Sequence, residues 1–181
     1  GLDECVSHVS KDLACLLRHG HGHSLSDICK LRMSCNDHRY PDAVVWPVNI
    51  GEIQALVHFA RQKSVCLIPF GGGTNVTSAT YCPAQHCDPR PIVTVSMAKM
   101  NKVLEVDEVN GLARVQAGIT GRKLSNDLRV YGYTTGHEPD SYEFSTVGGW
   151  VATKASGMKR NKYGNIEDIV TSIDVVGAEG E

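Results

Sequence analysis

Three consecutive glycines follow a short apolar stretch and are the first candidate for chemistry in this 181-residue sequence. Residues 65–68 are Val-Cys-Leu-Ile, and residues 69–75 are Pro-Phe-Gly-Gly-Gly-Thr-Asn. Because glycine lacks a Cβ atom, such a turn can take positive φ angles and bring its N–H groups close to an anion. Backbone amides at the end of a strand are suited to the pyrophosphate of a nucleotide. The stretch predicts a phosphate-binding loop, and a plain tight turn is the alternative.

A second run of small residues spans positions 145–157 and contains Gly148 and Gly149. Hydroxyl groups in this run can hydrogen-bond a ribose, a phosphate or a ring edge. We expect a strand-to-helix transition here, which is a geometry that favours anions. A structural helix packed tightly through its glycines is the alternative, but it leaves the cluster of hydroxyls unexplained.

The N-terminal region has a helical pattern and a histidine tract. Apolar residues at helical spacing predict one amphipathic helix over residues 2–18. Residues 20–37 show no clear pattern. His19, His21 and His23 alternate with glycines and could hold a transition metal, but a solvated, flexible tract is the favoured interpretation.

A strand, a helix and a second strand are expected to precede the glycine loop. Residues 39–47 are predicted to be extended, because the proline at 47 disfavours helix before it. Asn49 and Glu52 have the spacing of a capping box and predict a helix. Residues 65–68 predict a strand covered on both faces. This order predicts a right-handed crossover between two neighbouring parallel strands, with the loop at the carboxyl end of a strand, where α/β sheets bind ligands.

Shorter elements follow the glycine loop. Residues 91–96 predict a strand, and the two segments beside Asn110-Gly111 predict a hairpin with a tight turn. Thr120 is expected to cap a helix. Residues 169–175 alternate as a strand that leads into a turn at 177–181, and we therefore expect the chain to be a fragment.

Composition excludes several classes of protein. The chain has 18 Lys and Arg against 20 Asp and Glu and no basic stripe, so nucleic acid is not expected as a partner. Seven cysteines at irregular spacing indicate reduced thiols. The stretch 82–87 contains two cysteines and a histidine but has no second ligand pair at zinc-site spacing, so no metal is predicted.

The two glycine motifs, residues 69–75 and 146–149, together resemble the flavin-binding domain of the vanillyl-alcohol oxidase and p-cresol methylhydroxylase superfamily. Ser156-Gly157 and Tyr163-Gly164 support that resemblance. Longer stretches are similar to the ether-lipid synthases of this superfamily: 118–121, 135–141, 143–150 and 155–159. The resemblance extends from about Gly20 to the end of the chain.

The resemblance implies an α+β fold of the p-cresol methylhydroxylase type, with a small mixed sheet and flanking helices joined to the start of a second α+β subdomain. We divide the chain accordingly into an N-terminal helical segment at 1–38, a first FAD-binding subdomain at 39–136, and the incomplete start of a second at 137–181.

The resemblance also implies the residues that contact the cofactor. The loop at 69–75 would hold the FAD pyrophosphate, the segment 140–146 would approach the diphosphate and the isoalloxazine ring, and the segment 153–156 would complete the cradle. These residues are Pro69, Phe70, Gly71, Gly72, Gly73, Thr74, Asn75, Asp140, Ser141, Tyr142, Glu143, Phe144, Ser145, Thr146, Thr153, Lys154, Ala155 and Ser156. Relatives that attach flavin covalently use a histidine or cysteine, often in this loop. Thr74 stands there instead, so FAD is expected to be bound without a covalent bond.

Similar synthases exchange the acyl group of acyl-dihydroxyacetone phosphate for a long-chain fatty alcohol, with no net oxidation. The catalytic residues of the family have no matching position here, so no catalytic residue is assigned, and His137 is interpreted as a structural histidine or a neighbour of the flavin. The alternatives are a flavin-dependent 2-hydroxy-acid dehydrogenase and a non-catalytic flavin-binding module.

We expect the isolated chain to bind FAD weakly or not at all. Residence in the peroxisome or a related organelle, peripheral membrane association through other parts of the protein, and a homodimer are expectations from the same resemblance.

Overall fold

In the computed structural model, which describes residues 1–33 and 39–181, the contacts of the chain separate two units. Unit 1 contains residues 1–96 and 175–181, and unit 2 contains residues 97–174. The boundaries at 38 and 136 that the sequence suggests do not coincide with these units. They concern cofactor-binding subdomains and stay a prediction.

Unit 1 is built on a four-stranded mixed sheet. Its strands are β1 (Val9–Ser10), β2 (Ala43–Val45), β3 (Cys66–Phe70) and β4 (Ile92–Ser96), in the order β1-β2-β4-β3. Strand β1 is antiparallel to β2, and the other pairs are parallel. Every residue of β2 and β4 is buried. The small mixed sheet and the extended segments of the sequence prediction are confirmed.

The prediction that β2 and β3 are neighbours is wrong, because β4 lies between them and pairs with both. Pro69 offers a reason for the outer place of β3. A proline has no N–H group to donate to a neighbouring strand, so it is found on edge strands. Of residues 65–68, which the sequence predicts to be covered on both faces, Ile68 is buried while Val65, Cys66 and Leu67 are partly exposed, so the strand is not fully covered.

The single N-terminal helix of the sequence prediction is also wrong. The region forms α1 (Leu2–Cys5), strand β1 and α2 (Leu13–His19) instead. Pairing of β1 with β2 takes residues out of the helix, and the carboxylate of Asp12 starts α2 by accepting a hydrogen bond from the backbone of Cys15 at 3.2 Å. Helix α3 (Leu25–Arg32) follows, with Ser24 and Asp27 forming its capping box.

The predicted helix after Asn49 is confirmed as α4 (Ile50–Lys63), which contacts α1 and β3. The Asn49 side chain accepts a hydrogen bond from the backbone of Glu52 at 2.9 Å, which is half of a capping box. The other half differs, because the Glu52 carboxylate accepts from the backbone of Val48 at 3.0 Å. The helix ends at Ser64, whose φ is 53°.

Unit 2 begins with a short 3₁₀ turn (Met97–Lys99) and the hairpin of β5 (Val103–Asp107) and β6 (Leu112–Val115). The hairpin is confirmed, but its connection has four residues. Gly111 takes a φ of 66°, and the Asp107 carboxylate accepts backbone hydrogen bonds from Val109 and Asn110, each at 3.0 Å.

Four helices complete unit 2: α5 (Gly121–Arg129), α6 (Val147–Thr153), α7 (Arg160–Tyr163) and α8 (Ile166–Ile169). Thr120 caps α5 as predicted, by accepting from the backbone of Lys123 at 3.3 Å. The core consists of Ile119, Leu124, Leu128, Trp150 and Ile166.

The strand predicted at 169–175 is wrong for this structure. Among the described residues no strand pairs with it, and a strand without a partner leaves its N–H and C=O groups unbonded. Ile173 and Val175 are exposed. The turn expected at the end of the chain is present, with the Gly177 N–H bonded to the Glu181 carbonyl at 2.7 Å. No described helix has the length and apolar character that crossing a bilayer requires.

Candidate cofactor site

The glycine loop, residues 69–75, leaves the carboxyl end of β3 as predicted. Gly73 takes a φ of 66°, a left-handed conformation that favours glycine. The loop folds back over its own first aromatic residue, since a Cβ atom at Gly73 would lie 2.4 Å from Cζ of Phe70. Both the conformation and the close approach therefore require glycine at this position.

The backbone donors in the middle of this loop are unused. Within the part of the chain that the structure describes, the N–H groups of Gly72, Gly73 and Thr74 have no hydrogen-bond acceptor. Residues 69–77 contain no acidic side chain, so an anion would meet no carboxylate from this stretch. Free amides in a stretch that has no acidic side chain fit the diphosphate of a dinucleotide.

Asn75 closes the loop through its own side chain. Its Nδ2 donates to Oγ1 of the buried Thr80 at 3.0 Å, and its Oδ1 accepts from the backbone of Ala79 at 3.0 Å. Its carbonyl accepts from the backbone of His23 at 2.8 Å. These bonds fix the end of the loop.

The histidine tract contributes a buried residue that the sequence interpretation missed. His19 is 8% exposed, and its ring lies 4.6 Å from that of Phe70 and 5.6 Å from that of Trp46. Burial lowers the pKa of His19, against the opposing effect of a 2.9 Å hydrogen bond between Nδ1 and the carbonyl of Cys15. The prediction of a solvated, flexible tract is therefore wrong for His19. Gly22, in the same tract, packs against the glycine loop, since a Cβ atom there would lie 2.3 Å from the Asn75 carbonyl oxygen.

The predicted contact residues of unit 2 begin with a turn over residues 140–144. Ser141 takes a φ of 55°, and its carbonyl accepts from the backbone of Phe144 at 2.8 Å. The Phe144 side chain is 64% exposed. A backbone hydrogen bond and the guanidinium of Arg122, 3.2 Å away, lower the pKa of Glu143. The exposed ring and carboxylate make this turn a polar and aromatic surface.

Ser145 and Thr146 are buried and engaged within the protein. The indole N–H of Trp150 donates to Oγ of Ser145 at 2.8 Å, and Ser145 Oγ donates to the carbonyl of Asp140 at 3.3 Å. Oγ1 of Thr146 accepts from the backbone of Gly149 at 3.4 Å and caps α6. These hydroxyls therefore shape the turn and the helix start.

The first amides of α6 are also used by the protein. The Val147 N–H bonds the Ile119 carbonyl at 3.0 Å, and the Gly148 N–H bonds the Ala117 carbonyl at 2.8 Å. A Cβ atom at Gly148 would lie 2.9 Å from that of Ala117. The expectation of an anion-friendly helix start is wrong for these amides, and the packing interpretation accounts for Gly148.

The last predicted segment surrounds the end of α6. Thr153 donates through Oγ1 to the carbonyl of Gly149 at 2.9 Å, and Ala155 bonds the carbonyl of Trp150 through its N–H at 2.9 Å. Lys154 and Ser156 are exposed, and Lys154 takes a φ of 50°. The Lys154 and Ser156 side chains are thus exposed and make no hydrogen bond within the described part of the chain.

His137 lies just before these segments with both ring nitrogens unsatisfied. It is 2% exposed, and neither nitrogen has a partner among the described residues. Its ring lies 5.1 Å from that of Trp150. Burial lowers the pKa of His137, and the charge of Glu167 opposes that change. An unpartnered buried imidazole beside the 140–146 turn fits a place where another polar group completes the structure.

The predicted contact residues are divided between the units, since 69–75 lies in unit 1 and 140–156 in unit 2. Their union in one pocket stays a prediction. Unit 2 also has an open groove of about 310 Å³ between β5 and the end of α5. None of the predicted contact residues lines it.

Residues 41–181 match the family described as FAD binding domain, and the chain belongs to this family. The prediction of FAD as cofactor is thereby confirmed. The chain is 45% identical to an alkyldihydroxyacetonephosphate synthase of Caenorhabditis elegans, over 99% of this chain and 30% of that protein. It is 39% identical to the synthase of Dictyostelium discoideum, over 95% of this chain and 28% of that protein. A more distant relative, a glycolate oxidase subunit of Bacillus subtilis, is 32% identical over 78% of this chain and 29% of that protein.

A solved alkyldihydroxyacetonephosphate synthase structure has the same fold, with a TM-score of 0.85 at 39% identity, over 90% of this chain and 30% of that one. The predicted fold class and the resemblance to ether-lipid synthases are confirmed. The chain spans about 30% of the length of the curated relatives that it matches.

Proposed function

We propose that this chain is the FAD-binding portion of an enzyme that exchanges the acyl group of acyl-dihydroxyacetone phosphate for a long-chain fatty alcohol. The observation that carries the proposal is the extent of the match. Similarity to synthases covers 95–99% of the chain, whereas the glycolate oxidase subunit matches 78%. The synthases therefore share more of this chain than the oxidoreductase does.

The chain's own residues would bind and orient the cofactor. The free amides of Gly72, Gly73 and Thr74 would neutralise the diphosphate without bulky side chains. The segments 140–146 and 153–156 would approach the ring and complete the cradle. When bound, FAD supplies the reactive isoalloxazine ring.

We propose that the cofactor is held without a covalent bond, because the loop at 69–75 contains no histidine or cysteine. Acid precipitation of the purified protein should then release the flavin into the supernatant. Flavin that remains with the pellet would contradict this part of the proposal.

The proposal is tested on the longest natural form of the protein that contains this chain. Acyl-dihydroxyacetone phosphate and labelled hexadecanol should give a labelled ether product and one fatty acid per ether formed. The alcohol oxygen becomes the ether oxygen and the acid leaves with the ester oxygen, so no electron acceptor is consumed. The same protein is offered glycolate and D-lactate with a reducible dye.

Reduction of the dye by a 2-hydroxy acid, with no ether product, would favour the dehydrogenase alternative, which the similarity to the glycolate oxidase subunit supports. Flavin binding with neither reaction would favour a non-catalytic module. Residence in the peroxisome, peripheral membrane association and a homodimer are part of the same proposal. Cell fractionation would argue against that residence if the protein separated from peroxisomal marker enzymes.

A further inference from the structure

The glycine loop is held at both ends by one short N-terminal segment, residues 19–23, which we call the clasp. The clasp precedes residue 41, where the match to the FAD binding domain begins. Clasp and loop both belong to unit 1. All contacts between the clasp and the loop therefore lie within unit 1.

The first contact is aromatic and lies at the start of the loop. The buried ring of His19 lies 4.6 Å from the ring of Phe70, and the backbone of Gly73 lies over the tip of that same ring. His19 is itself held by Trp46 and by its Nδ1 bond to the carbonyl of Cys15. The Phe70 ring thus contacts both His19 and the left-handed turn at Gly73.

The second contact is a backbone contact at the end of the loop. The His23 N–H donates to the carbonyl of Asn75 at 2.8 Å. Gly22 is buried so closely against Asn75 that a Cβ atom would lie 2.3 Å from its carbonyl oxygen and 2.8 Å from its Oδ1. Between the two contacts lie the amides of Gly72, Gly73 and Thr74, which have no acceptor among the described residues.

We propose that the clasp residues His19 and Gly22 are positioning residues for FAD, which preorganise the free amides of the glycine loop for the diphosphate. The inference rests on the proposed cofactor role of this loop. A loop ordered before binding loses less entropy when the ligand arrives, so its apparent affinity is higher. When the competent fraction of a protein falls tenfold, its apparent Kd rises about tenfold.

The first test compares two glycine variants in the longest natural form that contains this chain. Gly22→Ala places a methyl group against Asn75, whereas the control Gly177→Ala meets its nearest neighbour at 3.6 Å in the same unit. Flavin fluorescence quenching on titration of the FAD-free protein should show about a tenfold higher Kd for Gly22→Ala. The control should be unchanged. Equal Kd values for Gly22→Ala and wild type would overturn the inference.

A second readout does not depend on the cofactor. Amide hydrogen exchange of the FAD-free protein should be faster at residues 71–76 in Gly22→Ala, with strand β4 still protected. If protection of β4 is also lost, the fold has been damaged and the His19 variants decide. His19→Phe keeps the ring packing and should retain most of the FAD affinity, while His19→Ala should lose it and the exposed-histidine control His86→Ala should not. Equal Kd values for His19→Phe and His19→Ala would contradict the proposal.

The two proposals fail in different ways. If wild-type protein binds no FAD, the proposed cofactor role of the loop fails, while hydrogen exchange still reports whether the clasp orders it. If wild-type protein binds FAD and the clasp variants bind it equally well, the inference fails and the proposed function stands.

Discussion

Two glycine runs in this chain serve different physical purposes. In unit 1 the run at 71–73 forms a loop in which the amides of Gly72 and Gly73 have no acceptor among the described residues. In unit 2 the amides of Gly148 and Gly149 are bonded to Ala117 and Thr146. The first run leaves donors free for a ligand, and the second uses its donors and its small size for packing.

The absence of a side chain is therefore not itself a sign of a binding site. A glycine is needed at 148 because a Cβ atom there would lie only 2.9 Å from that of Ala117. A glycine is needed at 73 because the φ angle there is 66° and because a Cβ atom would collide with the ring of Phe70. The two runs differ in whether their N–H groups have a hydrogen-bond acceptor within the protein. That depends on residues distant in sequence.

The largest expected effect is on stability, from Gly148→Ala. The added methyl group would lie 2.9 Å from the Cβ atom and 3.0 Å from the carbonyl oxygen of Ala117. Overpacking of this kind lowers the free energy of unfolding by about 1–3 kcal/mol. Urea denaturation followed by circular dichroism measures the change.

Gly149→Ala is the matched control in the same helix. Its methyl group would meet Oγ1 of Thr146 at 3.3 Å, and alanine is favoured over glycine in a helix by up to about 1 kcal/mol. Its effect should therefore be smaller. If both variants lost the same stability, the packing role assigned to Gly148 would be wrong.

The next effect is on cofactor affinity, from Thr74→Asp. The loop contains no acidic residue, so a carboxylate placed beside its free amides would repel the diphosphate and occupy those donors. We expect the Kd for FAD to rise about tenfold, which corresponds to about 1.4 kcal/mol. Titration of the FAD-free protein by flavin fluorescence measures it.

Thr77→Asp places the same charge on an exposed residue near the loop and should change the Kd less. Stability should be nearly the same in both variants, because surface substitutions usually change it by no more than about 0.5 kcal/mol. An unchanged Kd for Thr74→Asp would mean that the free amides of the loop do not hold the diphosphate. In that case the contrast between the two glycine runs would lose its functional meaning.

Much of the secondary structure could be predicted because its signals are local. The cap at Asn49, the cap at Thr120 and the glycine at 111 each determine a start or a turn within a few residues, and the structure contains all three. The loop at the end of β3 followed from an apolar run before glycines. These features need no knowledge of distant partners.

The errors arose where a distant partner decides the structure. Strand β1 interrupts the predicted N-terminal helix because β2 pairs with it, and β4 takes the place beside β2. The alternating glycines predict a solvated tract at His19, yet Trp46 and Phe70 bury it. Periodicity does not report which distant residue covers a side chain, so none of these could be predicted from it.

The smallest expected effect is on the pH dependence of stability, and each unit supplies one histidine for it. Burial lowers the pKa of His19 in unit 1 and of His137 in unit 2. For His19 the charges of Arg18 and His21 act in the same direction, whereas for His137 the charge of Glu167 acts against it. Both rings are therefore neutral in the folded protein at neutral pH.

Below about pH 6.5 the unfolded chain takes up a proton at each histidine while the folded chain does not, so the free energy of unfolding falls as the pH falls towards the lowered pKa. Each histidine contributes at most about 1.4 kcal/mol per pH unit in this window. Urea denaturation of the FAD-free protein between pH 7.5 and pH 5 should show the loss. His19→Phe and His137→Phe should each make the curve flatter, and His86→Ala should not. A curve that kept its slope in both phenylalanine variants would show that other groups cause the acid sensitivity.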